Sequence, residues 1–526
     1  MLSYKRRICS DTPRWPELVW PNRFPQAAVR PRDVAKQREP ARTSDRLEPQ
    51  FRGGFRTFAQ VSGLGCIDLG DRRSRVQISV ARQTVCRSGG VSWKHPLACH
   101  RPRGLARRDL GANLVMTGAF GSSAAARYDH RTPRPDSCPS WNNATMKQPS
   151  AAITAMPRSG IRVIMDLAMA MPDCIRLEVG EPNFPTAPHI IDAAHRAALD
   201  GQTRYTDNSG INGLREAIAQ HRGLCAGRTV LADQGVVTTG AMGALFSALV
   251  ALVDPGDEVI VFDPGWPNYR MQLQLIGAKP VVGDTTEDTG HIPTVEQLEA
   301  VATPRTKVVM VNSPSNPTGA VIDRGRMAGL VEFVRSVDAY MVSDEVYEEM
   351  VFDESYVSAA VHDTDGRVVS IHSFSKTYAM TGWRVGYAVA SPEVAPFIRK
   401  CQEPTIGCVN APAQYAALAA LTGSQELVEG MRCAYRDRRD TVLPLLEAAG
   451  VPAFKPGGAF YLWVDISGSG RTDMEFATDL IQNQKVAVVP GTAFGSGNTG
   501  RVRISLATDP AELNEGVRRL IDEVQS

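Results

Sequence analysis

One pattern limits this chain more than any other: between Val236 and His372, short unbroken apolar runs alternate with helical segments. Val236–Thr239 is followed by a helical stretch, Met242–Val253, a turn at Asp254-Pro-Gly-Asp257 and a further run, Glu258–Phe262. Lys307–Val311, Ala339–Ser343 and Val368–His372 repeat the theme. A strand without polar alternation has no face for water, so these strands belong to a mostly parallel sheet covered by helices on both sides, an α/β architecture. Upstream, Ile161–Met171, Ile190–Ala198 and Gly213–Arg222 read as helices and Ile175–Val179 as a strand. Downstream the texture changes. Gly458–Val464, Val486–Val489 and Arg501–Leu506 read as strands mixed with two helices, which predicts a second, smaller α+β domain.

Length agrees with more than one domain, since 526 residues at roughly 150 per domain gives two to four. The most apolar uncharged stretch, Gly240–Val253, falls short of the ~20 residues a bilayer span needs, so no membrane association is expected. The net charge of +2 conceals a division: residues 1–145 hold 26 Lys and Arg against 11 Asp and Glu, and the rest holds 32 against 45. A basic block raises nucleic acid as a partner. That would require an ordered module such as a helix-turn-helix before residue 120, and none can be placed, so no nucleic acid is expected. A transit peptide would be poor in acids, yet Asp11, Glu17, Asp33 and Glu39 come early. Residues 1–148 are therefore expected to be disordered, or untranslated with the true start near Met146. The ten cysteines form no CxxC pair and no zinc spacing, which predicts reduced thiols in a cytoplasmic protein without a structural metal.

Generic fingerprints are few. Gly495-Ser-Gly-Asn-Thr-Gly500 matches GxGxxG, but a strand follows it where a dinucleotide site needs a helix. The informative segment is Ser373-Phe-Ser-Lys376, with Arg384 eight positions later. It follows an apolar strand, which places Lys376 at the carboxyl edge of the sheet, where open α/β sheets bind ligands. An amine among small hydroxyls, near an arginine, suits a nucleophile beside an anion site. Elsewhere, Thr239-Gly240-Ala241-Met242 opens a helix whose free N–H groups also favour an anion.

Several further segments carry a resemblance. Asn312-Ser-Pro-Ser-Asn316-Pro-Thr-Gly319, Ser343-Asp344-Glu-Val-Tyr347, Gly180-Glu-Pro, Tyr205-Thr and Arg503-Ile-Ser, together with Ser373-x-Ser-Lys376 and Arg384, resemble in kind and order the motifs of fold-type I, pyridoxal-phosphate-dependent aminotransferases of class I/II. The resemblance covers about residues 149–524. It implies that Lys376 holds pyridoxal 5′-phosphate as a Schiff base and moves the substrate's α-proton. Asp344 would keep the pyridine nitrogen protonated, and Tyr347 and Asn316 would bond the ring oxygen. Gly240, Ala241, Met242, Ser373, Ser375 and Arg384 would hold the phosphate, joined by Tyr205 from the other subunit of a homodimer, and Trp266 would stack on the ring. Arg503, Gly180 and Asn316 would receive the substrate's carboxylate, leaving Arg501 solvated.

The implied reaction is a ping-pong transfer of an amino group from an L-amino acid to a 2-oxo acid. Two rivals remain: a C–S or related lyase on the same scaffold, and a transcription regulator with an aminotransferase-like sensor domain. The expected division is 149–187 and 441–526 in the small domain and 188–440 in the large cofactor-binding domain. One departure stands out. A branch of the family places a lysine at the opening of the phosphate helix for an acidic substrate's distal carboxylate, and Met242 occupies that place, so a neutral amino donor is expected.

Overall fold

The computed structural model describes residues 147–353 and 355–526; the expectations for residues 1–146 lie outside the described residues. Strands in chain order are β1 (Ile175–Arg176), β2 (Gly235–Thr238), β3 (Glu258–Asp263), β4 (Lys279–Asp284), β5 (Thr306–Asn312), β6 (Tyr340–Asp344), β7 (Val368–Ser373), β8 (Gly386–Val389), β9 (Ala453–Phe454), β10 (Tyr461–Asp465), β11 (Val486–Ala487), β12 (Val489–Pro490) and β13 (Arg501–Ser505). Seven of them form one sheet in the order β2-β8-β7-β6-β5-β3-β4. From β7 to β4 all neighbours are parallel, and β8 runs against both of its own.

The two faces of this sheet follow from the period of two along each strand. Val308 and Met310 point to one side, where helices Gly240–Leu252, Asn268–Ile276 and Ala395–Thr405 cover them through Leu245, Leu249, Leu273 and Ile398. Val309 and Val311 point to the other, beneath helix Arg324–Ser336 with Met327, Leu330, Val331 and Val334. The mostly parallel, doubly covered sheet is the architecture the unbroken apolar runs demand.

A separate four-stranded antiparallel sheet, β12-β13-β10-β9, and the parallel pair β1-β11 lie with helices Asp473–Gln484 and Pro510–Gln525. Their core includes Leu462, Phe476, Leu480, Val517 and Leu520. Three expected elements change shape. The segment 458–464 becomes a strand only at Tyr461, because Ala459 adopts φ +58° and turns the chain first. The run 486–489 divides at Val488, its first half pairing with β1 and its second with β13. The strand over 175–179 pairs only at Ile175–Arg176. The boundary at 440/441 falls inside one continuous helix, Glu426–Ala448. Among the described residues no helix is long and apolar enough to cross a membrane.

Candidate active site

The order of strands gathers the polar residues at one edge. β5, β6 and β7 end side by side, with Asn312 opposite Asp344 across the β5–β6 ladder and Ser373 closing β7. The chain continues from Ser373 into a single helical turn, Phe374–Thr377, that carries Lys376. Because β8 is reversed, it starts at this same edge with Gly386 opposite Ser373, so Arg384 arrives beside Lys376 after a short connection. On the far side of β8, β2 ends with Thr238 opposite Gly386, and the helix Gly240–Leu252 begins there. A Cβ at Gly386 would lie 2.7 Å from the Ala241 nitrogen and the His372 oxygen, so only glycine lets the helix start pack this close to the strands.

A cavity of about 380 Å³ opens over this edge. Gly180, Ala241, Met242, Trp266, Asn316, Asp344, Tyr347, Ser373, Ser375, Lys376, Arg384 and Arg503, drawn from positions more than 300 residues apart, all line it. Gly240 stands just behind: a Cβ there would come 2.7 Å from Arg384 Nη2, and its φ is +66°. Tyr205 does not line the cavity of its own chain and is 95% exposed. The GxGxxG at 495–500 lies between a 3-10 turn, Gly491–Phe494, and β13, with no βαβ unit around it.

Lys376 Nζ donates a hydrogen bond to the Gly180 carbonyl. Desolvation lowers its pKa to about 8; Glu181 pulls the other way, and Arg503 and Arg384 add to the depression. An amine near 8 is a usable nucleophile and base at neutral pH. Asp344 is 3% exposed, and its Oδ2 accepts from the Tyr269 hydroxyl at 2.6 Å. Burial raises its pKa to about 6 against the lowering effect of that bond. A buried carboxylate with one hydroxyl and one long backbone contact lacks a counter-charge, which a protonated ring nitrogen would supply. The Tyr347 hydroxyl lies 2.8 Å from that of Tyr461.

Two guanidinium groups line the cavity without an ion pair among the described residues. Arg503 is 2% exposed, donates Nη1 to Asn316 Oδ1 at 2.9 Å and Nη2 to the Glu178 carbonyl at 2.8 Å, and leaves Nε without a partner. Its guanidinium carbon lies 4.3 Å from the Tyr461 ring centroid and 5.0 Å from that of Phe494. No carboxylate among the described residues is within ion-pair distance, so a buried cation is fixed in place with neutral acceptors only. Arg384 donates to the Thr381 carbonyl at 2.8 Å and faces the start of helix Gly240–Leu252, whose first turn has no side-chain cap. Uncapped N–H groups, the positive helix end, Arg384, Ser373 and Ser375 are donors of the kind an anionic group such as a phosphate requires. A ring carrying a phosphate and a protonated nitrogen fits the two ends of this set. Arg501, expected to be solvated, is instead paired with Glu287 at 3.0 Å and Asp465 at 3.3 Å, because β10 and a neighbouring loop place acids against it.

Sequence reading missed Tyr269 and Tyr461. Tyr269 sits three residues after Trp266 and meets its ring edge-on, with centroids 5.5 Å apart. That helical spacing was a usable signal. Nothing local marks Tyr461, whose part is set by Tyr347 and Arg503 in distant segments.

Comparison with known proteins agrees with this geometry. The family model described as aminotransferase class I and II matches residues 172–520. An aspartate aminotransferase of Thermotoga maritima is 41% identical over 355 residues, 67% of this chain and 92% of that protein. An aspartate/prephenate aminotransferase of Thermus thermophilus is 37% identical over 71% of this chain and 95% of its own length. The solved structure of an aspartate aminotransferase from Thermus thermophilus with maleate superposes with a TM-score of 0.69 at 36% identity, covering 72% of this chain and all of that one. A cavity edged by one lysine and two arginines thus sits in a chain that belongs to the class I and II aminotransferases, pyridoxal 5′-phosphate enzymes that exchange amino groups between amino acids and 2-oxo acids.

Proposed function

We propose that the cavity residues divide the work of transamination as follows. Lys376 would hold the cofactor through Nζ and, once freed by the incoming substrate amine, would take the proton from the substrate's Cα and deliver it on the other side of the amino nitrogen. Its pKa of about 8 suits both directions. The cofactor, when bound, supplies the electron sink for the pair left on that carbon. Asp344 holds the proton on the ring nitrogen, and Tyr269 holds Asp344. Tyr347 and Asn316 would bond the ring oxygen and Trp266 would flank the ring. Ser373, Ser375 and Arg384, with the backbone of Gly240, Ala241 and Met242, take the phosphate, assisted by Tyr205 of the partner subunit in a homodimer. Arg503 grips the substrate's α-carboxylate beside Asn316, and Gly180 leaves room for it.

In this reading, residues 149–187 and 441–526 form a small domain against a large one spanning 188–440, and the enzyme works in cytoplasmic amino-acid biosynthesis. The observation that supports it best is Arg503: a rigid, buried, unpaired guanidinium facing an amine of lowered pKa across one cavity. The test is to reduce the holoenzyme with borohydride and map the labelled peptide. Label on Lys376 is expected; label on any other lysine overturns the assignment.

A further inference from the structure

We infer that the subsite for the substrate's side chain is apolar, and that this enzyme takes an amino acid with an uncharged hydrophobic side chain in preference to aspartate. Ile161, Met165 and Met242 set that preference. The inference rests on the placement of the reacting amine at Lys376 and the α-carboxylate at Arg503 proposed above.

The cations lining the cavity, among the described residues, are Lys376, Arg384 and Arg503. Each is committed. Lys376 is the reacting amine, Arg384 stands at the start of the phosphate helix, and Arg503 is locked by Asn316, the Glu178 carbonyl and two aromatic rings. Among the described residues of one chain, none is left for a second carboxylate. The acids tell the same story. Glu178 is paired with Arg176, whereas Glu181 presents its carboxylate to the cavity, tethered by the Thr381 hydroxyl at 2.9 Å. Glu181 is close enough to Lys376 to act on its titration. An acidic side chain entering here would meet a like charge and no opposite one.

One stretch of the remaining wall is apolar. Helix Gly160–Met169 places Ile161 and Met165 four residues apart, on one face, at the cavity. Ile161 also packs on the cluster of Trp463, Val489 and Phe494, and Phe494 lies against Arg503. The helix is thereby anchored next to the α-carboxylate grip, with Met165 one turn further along. Met242 is held from behind, its carbonyl accepting from Gln272 Nε2 at 3.0 Å and its sulfur lying 3.6 Å from Asn268 Nδ2. The basic residues near this helix look elsewhere: Arg158 is paired with Asp166, and Arg162 is exposed and does not line the cavity. Methionine side chains adapt their shape to apolar guests, so the wall favours hydrophobic side chains of more than one outline. A carboxylate against it would be desolvated without a partner.

The experiment uses the full-length holoenzyme. kcat/KM is measured for leucine, methionine, phenylalanine, alanine and aspartate with one common 2-oxo acid, and maleate and 4-methylpentanoate are titrated by the change in cofactor absorbance. Hydrophobic donors are expected to lead aspartate by roughly tenfold or more, and 4-methylpentanoate to bind more tightly than maleate. Ile161→Ala and Met165→Ala should each shrink the leucine-to-alanine ratio several-fold, and Met242→Lys should move the leucine-to-aspartate ratio toward aspartate. Aspartate leading the wild-type series, as it would if a partner subunit supplied a cation, overturns the inference. So do ratios that none of the three substitutions moves. Failure of every donor to change the cofactor absorbance overturns instead the underlying assignment of Lys376 and Arg503.

Discussion

Arg503 shows how much of a site can be set by one side chain. Its planar fork is spanned by two neutral acceptors and flanked by two rings, so neither its position nor its charge can relax. A lysine keeps the charge and loses the fork. Arg503→Lys is expected to lower kcat/KM by about 30-fold, the equivalent of ~2 kcal/mol for a damaged buried charge contact, with most of the loss in KM. Steady-state kinetics on any good donor checks this. Lys376 offers a second measurement. Its amine is depressed from 10.5 to about 8, first by desolvation, so in the cofactor-free protein the neutral form should appear as pH rises through 8. The rate of recombination with pyridoxal 5′-phosphate should follow that rise, and a midpoint near 10 would show an ordinary exposed amine.

Among elements, the ends of β6 and β7 are joined from behind by a buried cluster. Glu348, in the turn after β6, accepts from Arg222 at 2.6 Å and lies 2.9 Å from His372 Nδ1 on β7. Burial alone would push the Glu348 carboxyl up, yet Arg222 and His372 hold it well below the usual carboxylate range. A carboxylate with a depressed pKa contributes stability that is in place above its ordinary value of 4.5 and fades on acidification below it. Glu348→Gln leaves Arg222 buried without its acid and should cost roughly 3–5 kcal/mol in urea unfolding at neutral pH. The gap from wild type should narrow as the pH falls below 4.5; an equal gap throughout would argue for lost packing alone. This cluster was illegible in the sequence, because Arg222 on a helix, Glu348 in a turn and His372 on a strand meet only in the folded chain. Legibility followed locality. Lys376, Asp344 and Asn316 sit in short motifs whose backbone path is fixed by the strand before them, so residue type and spacing sufficed. Strand β4 escaped notice because, at the sheet's edge with most of its residues exposed, it lacks the apolar run that marked its neighbours. Strand β8 is short, and its reversal depends on a turn through Arg384 at φ +56°.

At the scale of the whole molecule, the exposure of Tyr205 in a single chain leaves it free to serve another copy. If it does, two inactive variants should repair each other. Tyr205→Phe and Lys376→Ala, co-expressed, would form mixed dimers in which one site has both the lysine and the tyrosine. Activity per mixed dimer should rise above that of either parent, whereas a tyrosine acting within its own chain gives no recovery. The cavity also has a temporal side. Its walls come from Ile161 at one extreme and Arg503 at the other, and β13 must first slot between β10 and β12 before Arg503 faces inward. Synthesis therefore delivers Lys376 and Arg384 before residue 503, and the core beneath them, which includes Phe374, Met380, Phe460 and Tyr461, is complete only when the C-terminal segment has been made.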